Sequence, residues 1–138
     1  MSFDWRIATE KDFYAINALL VAANQNWGTD GIRHRVIIPL FLEQLIIFEK
    51  DGQPCGFVTY AMMDGQSACH QSTLGVMPAD WRSGEQLWVV DLVAVGGDGN
   101  KMFAKLKEDV REAVKGAVRY FRLKTRKIRR IELIQGEI

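Results

Sequence analysis

One carboxylate interrupts an otherwise apolar run in the middle of the chain. Residues Gln86 to Val95 are rich in β-branched side chains, and Asp91 is their one charge. A run of this length and composition suits a central strand covered on both faces. An unpaired carboxylate there is costly to desolvate, so Asp91 must face a cavity, a partner or water. Three roles suit it: a general base, an orienter of another reacting group, or half of a buried ion pair. The basic residues that could pair with it are many, and their spacing selects none.

The strand runs into Gly96-Gly97-Asp98-Gly99-Asn100. Successive backbone N–H groups in such a loop, opening a helix, can form an anion-binding nest. A phosphate or pyrophosphate of a carrier group suits it, lined by Gly96, Gly97, Gly99 and Asn100. The alternative is a tight strand-to-helix turn capped by Asp98. His34 stands between Arg33 and Arg35 and His70 beside Cys69; both read as surface residues, because adjacent Cys and His side chains diverge and make no dyad. Cys55 and Cys69 suggest neither a metal site nor a disulfide framework.

The elements that must position these residues follow from periodicity. Phe3 to Ala8 predicts a first strand, and Thr9 with Asp12 resembles a capping box ahead of a helix from about Glu10 to Asn24, whose stripe is Phe13, Ile16, Leu19, Leu20 and Ala23. Residues 32 to 42 suit a second short helix provided that Pro39 lies in a first turn. Leu45–Glu49 and Cys55–Met62 predict a hairpin around Asp51-Gly52. Met63 to Ala79 reads as a connection. Met102, Phe103, Leu106, Val110, Ala113 and Val114 form the stripe of a helix ending near Gly116, and Ala117–Leu123 and Ile128–Ile134 alternate like strands. This order predicts a single α/β (α+β) domain over residues 1–138, a three-layer mixed sheet flanked by helices. The tryptophans Trp5, Trp27, Trp81 and Trp88 suit the core or its rim, with Trp27 and Trp81 placed in turns where they could wall an acyl channel.

Composition adds limits. The chain has 138 residues, 48% hydrophobic and 25% charged, with formal net charge +1. Such a balance points to neither nucleic acid nor a membrane as partner. No apolar run approaches the roughly 20 residues of a membrane span, and the start lacks a signal-peptide pattern, so the cytoplasm is expected. The basic run from Arg119 to Arg130 reads as a solvated edge hairpin or as a docking surface for an acidic macromolecule.

The turn Asp80-Trp81-Arg82-Ser83-Gly84, the Trp88-x-x-Asp91 strand, the Gly-Asp loop and the helix after it resemble the core of the toxin-activating lysine acyltransferases. That family carries fatty-acyl groups from acyl carrier protein to internal lysines of RTX protoxins. The similarity extends through Leu45–Ala61 and touches Asn26-Trp27 and Gln135–Ile138. The family fold resembles the GNAT acetyltransferases, and Arg6–Leu20 separately looks like a GNAT first strand and helix.

The resemblance implies a GNAT-like fold, with Asp91 at the position of the family's essential aspartate. The family histidine stands three residues before the Trp of the Asn-Trp pair, a position held here by Asn24. An amide cannot exchange a proton near neutral pH. The family's C-terminal glycine pair is reduced to Gly136, and the loop lacks the GNAT pattern for coenzyme A. The resemblance therefore implies no permanently bound cofactor, an acyl-phosphopantetheine thioester as donor, acyl carrier protein and a lysine-bearing protein as partners, and a homodimer. The competing reading is a catalytically inactive GNAT-like binding or structural protein, for instance of a phage or other assembly.

Overall fold

Asp51 and Gly52 both take positive φ, 52° and 82°. That pair of conformations matches strand twist in a two-residue turn, and it joins strand β2 (Leu45–Lys50) to strand β3 (Gln53–Met63) with Lys50 opposite Gln53. In the computed structural model, residues 2–64, 78–106 and 108 are described, together with the backbone of 118–124 and 127–132. Strand β1 (Phe3–Ile7) pairs with β2, and strand β4 (Gln86–Ala94) pairs with β3, both antiparallel. Strand β5 (Val118–Lys124) runs parallel to β4, and β6 (Lys127–Glu132) returns antiparallel beside β5. The order across the sheet is β1-β2-β3-β4-β5-β6.

Alternation along β2 divides the core. Leu45 and Ile47 face helix α1 (Phe13–Ala22), where they meet Ile16, Leu19 and Leu20 together with Val36, Leu40 and Phe57. Ile46 and Phe48 point the other way, toward Met102 and Leu106 of the helix that opens with α4 (Gly99–Lys105). Helices therefore cover both faces, as the sequence predicts, and each fully buried Leu, Ile or Phe contributes about 2 kcal/mol. Gly56 lets α4 approach β3, since a Cβ there would lie 2.5 Å from Met102 Sδ.

The start of α1 follows the predicted box: Thr9 N–H donates to Asp12 Oδ2 at 2.8 Å. The segment from Gly28 to Phe41 is helical throughout, in three parts. Helix α2 (Gly28–Ile32) passes into a π turn (Arg33–Ile37) and then helix α3 (Ile38–Phe41). Pro39 lies at the start of α3, where its missing N–H is tolerated. Cys69, His70, the second half of the last predicted helix, the side chains of the basic hairpin and Gly136 lie outside the described residues.

Candidate active site

A single extra residue decides which way Asp91 faces. Thr59 pairs with Asp91 but Tyr60 pairs with Val89, so Val90 bulges from β4. Before the bulge Leu87 and Val89 pack toward α4; after it Leu92 and Ala94 do so. Unbroken alternation would put Asp91 with Leu87 and Val89 on the α4 face. The bulge instead turns Asp91 and Val93 toward the side of α1 to α3. Pairing between β4 and β5 covers Leu87, Trp88 and Val89. Asp91 thus sits just past the last described rung between the two parallel strands.

Arg35 meets Asp91 there. Its Nε donates to Oδ2 at 3.1 Å and its Nη2 to Oδ1 at 2.7 Å, a two-pronged pair. The guanidinium carbon also lies 3.6 Å from the ring centroid of Trp27, and Trp27 is set edge-on to Phe57 with centroids 6.2 Å apart. The π turn brings Arg35 to this point: Ile38 N–H reaches back five residues to Arg33 O, and such single wide turns reorient the side chains they carry. The pair is not sealed, because the Asp91 side chain is 15% exposed and that of Arg35 41%. Trp27 also lines an open cavity of about 540 Å³, with Asn17, Leu20, Gln25, Ile32 and Arg33 among others. His34 is half-buried in the same π turn.

Asn24 is held for a different reason. It follows Ala23, the last residue of α1's cap, with φ 58°. Its N–H donates to Val21 O at 3.0 Å, and Gln25 N–H donates to Leu20 O at 2.9 Å. These two bonds make a Schellman motif, whose left-handed residue is Gly first and Asn next. The Asn24 side chain is exposed. The structure thus places Asn24 at the end of α1 and Asp91 on β4, and the group bound directly to Asp91 is Arg35.

In the glycine loop, Gly96 and Gly97 take φ 69° and 81°, and Asp98 O accepts Met102 N–H at 3.0 Å. The Asp98 side chain is buried, with Lys50 Nζ at 3.6 Å and Lys101 Nζ at 4.0 Å from Oδ1. Gly99 and Asn100 begin α4. Lys50, Lys101 and Lys105 also line a cavity of about 300 Å³ with Phe3. Burial pushes the Cys55 thiol up from its ordinary value, and the Asp98 charge adds to this.

The Asp80–Gly84 turn proves to be a brace for β4. Trp81 is fully buried with Trp88, Ala61 and Met63. Met62 N–H donates to Trp81 O, and Met62 O accepts from Ser83 and Gly84 N–H. A Cβ on Gly84 would overlap the backbone of Met63 and Asp64. Gln44, buried at the start of β2, donates through Nε2 to Tyr60 O and Trp81 O and accepts from Arg82 Nε at 2.8 Å. Arg82 also donates to Leu42 O. Sequence reasoning missed Arg35 and Gln44. The signal for Arg35 was Pro39, whose missing N–H is the one that the Arg35 carbonyl would accept in a regular helix, a mark of irregular winding around this residue.

Comparison with known proteins bears on the family and the fold. Residues 13–135 match the model of the RTX toxin acyltransferase family. The RTX-II toxin-activating lysine-acyltransferase of Actinobacillus pleuropneumoniae is 22% identical over 100 residues, covering 71% of this chain and 62% of the relative. A lysine-acyltransferase of Vibrio cholerae is 30% identical over 78 residues, covering 54% of this chain and 51% of the relative. The chain spans between 46% and 62% of the length of the curated relatives it matches. Among solved structures, the loading GNATL domain of CurA from Lyngbya majuscula superposes with TM-score 0.63 at 14% identity, covering 89% of this chain and 66% of that one. A GNAT-family acetyltransferase from Listeria monocytogenes gives 0.56 at 13% identity, covering 89% of this chain and 78% of that one. At these identities the structures establish the GNAT-like fold. The match across residues 13–135 establishes more: the chain belongs to the RTX toxin acyltransferase family.

Proposed function

We propose that this chain transfers an acyl group from a thioester on acyl carrier protein to a lysine amine of a protein. The observation that carries the reading is the setting of Asp91: the Val90 bulge turns it out of the α4 face and places it where β4 and β5 cease to pair. Arg35 holds both Asp91 oxygens from a half-exposed position, so the carboxylate can be given over to a substrate amine. In the reaction the lysine ammonium first gives one proton to solvent; the neutral nitrogen then bonds to the thioester carbonyl carbon, the carbon–sulfur bond breaks, and the nitrogen's second proton reaches the departing sulfur through water, giving the amide and the thiol. Asp91 orients the nitrogen. Asn24 can hold a water by hydrogen bonds but cannot take the proton.

The donor's phosphopantetheine belongs, in this reading, along Gly96 to Asn100. Asp98 would repel its phosphate, and Lys50 and Lys101 offset that charge. The basic composition of Arg119 to Arg130 suits an acidic carrier, a homodimer is the assembly, and the cytoplasm is the compartment. A second reading is favoured by the exposed capping position of Asn24: a catalytically silent binding or structural protein of this fold, in a phage or other assembly.

Intact-mass analysis after incubation with acyl carrier protein thioesters and with acetyl-coenzyme A separates the two. Asp91→Asn is expected to lower transfer by about a hundredfold or more while leaving unfolding stability within about 1 kcal/mol. Asn24→His is expected to raise the rate, and His tolerates the left-handed backbone better than most residues. Equal inertness of wild type and both variants with every donor rejects the transferase reading.

A further inference from the structure

We propose that Trp27 and Asp91 form a cation subsite for the acceptor's lysine ammonium, and that Arg35 fills it from within the chain until the acceptor replaces it. The acyl-transfer reading supplies the identity of that cation; the subsite itself rests on geometry.

An aromatic face beside a carboxylate is the chemistry that recognises alkylammonium groups. Here the two are already holding a cation, with the Arg35 guanidinium 3.6 Å from the Trp27 centroid and 2.7 Å from Asp91 Oδ1. Two members of the trio are fixed. Asp91 lies on an inner strand with its N–H 3.2 Å from Thr59 Oγ1, and Trp27 is wedged against Phe57. The third is movable. The Arg35 side chain is half exposed, and it rides on a π turn where Pro39 offers its carbonyl no N–H. The adjoining cavity, which Trp27 also lines, has room for the displaced guanidinium or for acceptor residues flanking the lysine.

Exchange of one cation for another keeps Asp91 paired, so no uncompensated charge is left in the sheet. It is also selective. A guanidinium grips a carboxylate with two bonds where an ammonium makes a point contact, so a lone amine competes poorly. An acceptor displaces Arg35 when contacts beyond its lysine make up the difference. Arg35 is therefore a positioning residue: it keeps the subsite shaped and closed to free amines.

The test is an NMR titration of the Trp27 indole signal with n-butylammonium, at constant ionic strength and with no acyl donor present. Arg35→Ala is expected to bind the probe about tenfold or more tightly than wild type, Asp91→Asn added to it is expected to remove that gain, and neutral n-butanol is expected to shift nothing. Arg35→Met, which keeps the aliphatic stem over Trp27, gives the same reading if Arg35→Ala does not fold. In wild type, high n-butylammonium is expected to move the Arg35 Nε–H signal together with Trp27. Equal weak shifts in wild type and variants, a gain that survives Asp91→Asn, or an unmoved Arg35 signal while Trp27 shifts overturns the proposal. Probe binding without transfer from any donor rejects the transferase reading and leaves the subsite standing.

Discussion

Two arginine–aspartate pairs in this molecule are nearly the same object in different settings. Arg6 donates to both oxygens of Asp12 at 2.7 Å, and Arg35 donates to those of Asp91 at 3.1 and 2.7 Å. The carboxylates are 12% and 15% exposed and the guanidiniums 42% and 41%. Pairs with one half in solvent contribute about 1 kcal/mol or less, so stability does not distinguish them. Their remaining bonds do. Asp12 also accepts Thr9 N–H, and Arg6 reaches Glu49 at 3.3 Å. That pair closes a local join between β1 and the start of α1. Among the described residues the oxygens of Asp91 take Arg35 alone, across 56 residues of sequence. The comparison teaches that a carboxylate held by one exchangeable cation, with no backbone N–H tied to it as well, is the better place for a ligand.

The sharpest way to break the symmetry is at Gly84, which sets the start of β4 and lies far from β1 in the sheet order. Gly84→Ala forces a Cβ into the backbone of Met63 and Asp64, and a loss of about 3 kcal/mol is expected in denaturant unfolding. The Trp27 indole signal should shift with Asp91, while the Arg6 Nε–H signal stays in place. Gln44→Leu is the next largest. It strips donors from the Tyr60 and Trp81 carbonyls, at about 2 kcal/mol, and its effect should again be confined to the Asp91 pair. If either variant disturbed the Arg6 signal equally, the two pairs would share one cooperative unit and the contrast between them would lose its meaning.

Much of this architecture is legible in the sequence where a local rule has one answer. Asp51-Gly52 between apolar runs can hardly be anything but a hairpin turn, and an acidic residue amid β-branched ones must find a partner. The partner is another matter. Arg35 reaches Asp91 only because a π turn rotates it and because Val90 is an extra residue in β4. Period-two reading contains no signal for a bulge, so the face on which Asp91 emerges could not be read. The block that resembles the family runs from the Asp80–Gly84 turn through Asp91 and the glycine loop. The structure divides it: the turn is a brace, through Trp81, Gly84 and the Gln44 contacts, and the carboxylate paired with Arg35 lies further on, at Asp91. Asn24 shows the reverse. Its conformation after the stripe of α1 follows from the known preference of asparagine for left-handed caps.

The smallest effect offers the most direct control. Hydrogen bonds from Arg6 hold the Asp12 carboxyl below its ordinary value of 3.8, against the opposing effect of burial and with help from Thr9. A carboxyl lowered in the folded state contributes stability that is complete above the ordinary value and is lost as pH falls through the lower, native one. Asp12→Asn should therefore cost about 1 kcal/mol or less at neutral pH, and its stability curve should converge with that of wild type in acid. Urea midpoints measured from about pH 7 to about pH 2 give both quantities. If the variant lost about 2 kcal/mol or more at neutral pH, a half-exposed pair of this geometry would be a fastening in its own right. Arg35 and Asp91, matched to it in distance and exposure, would then need no ligand to account for them.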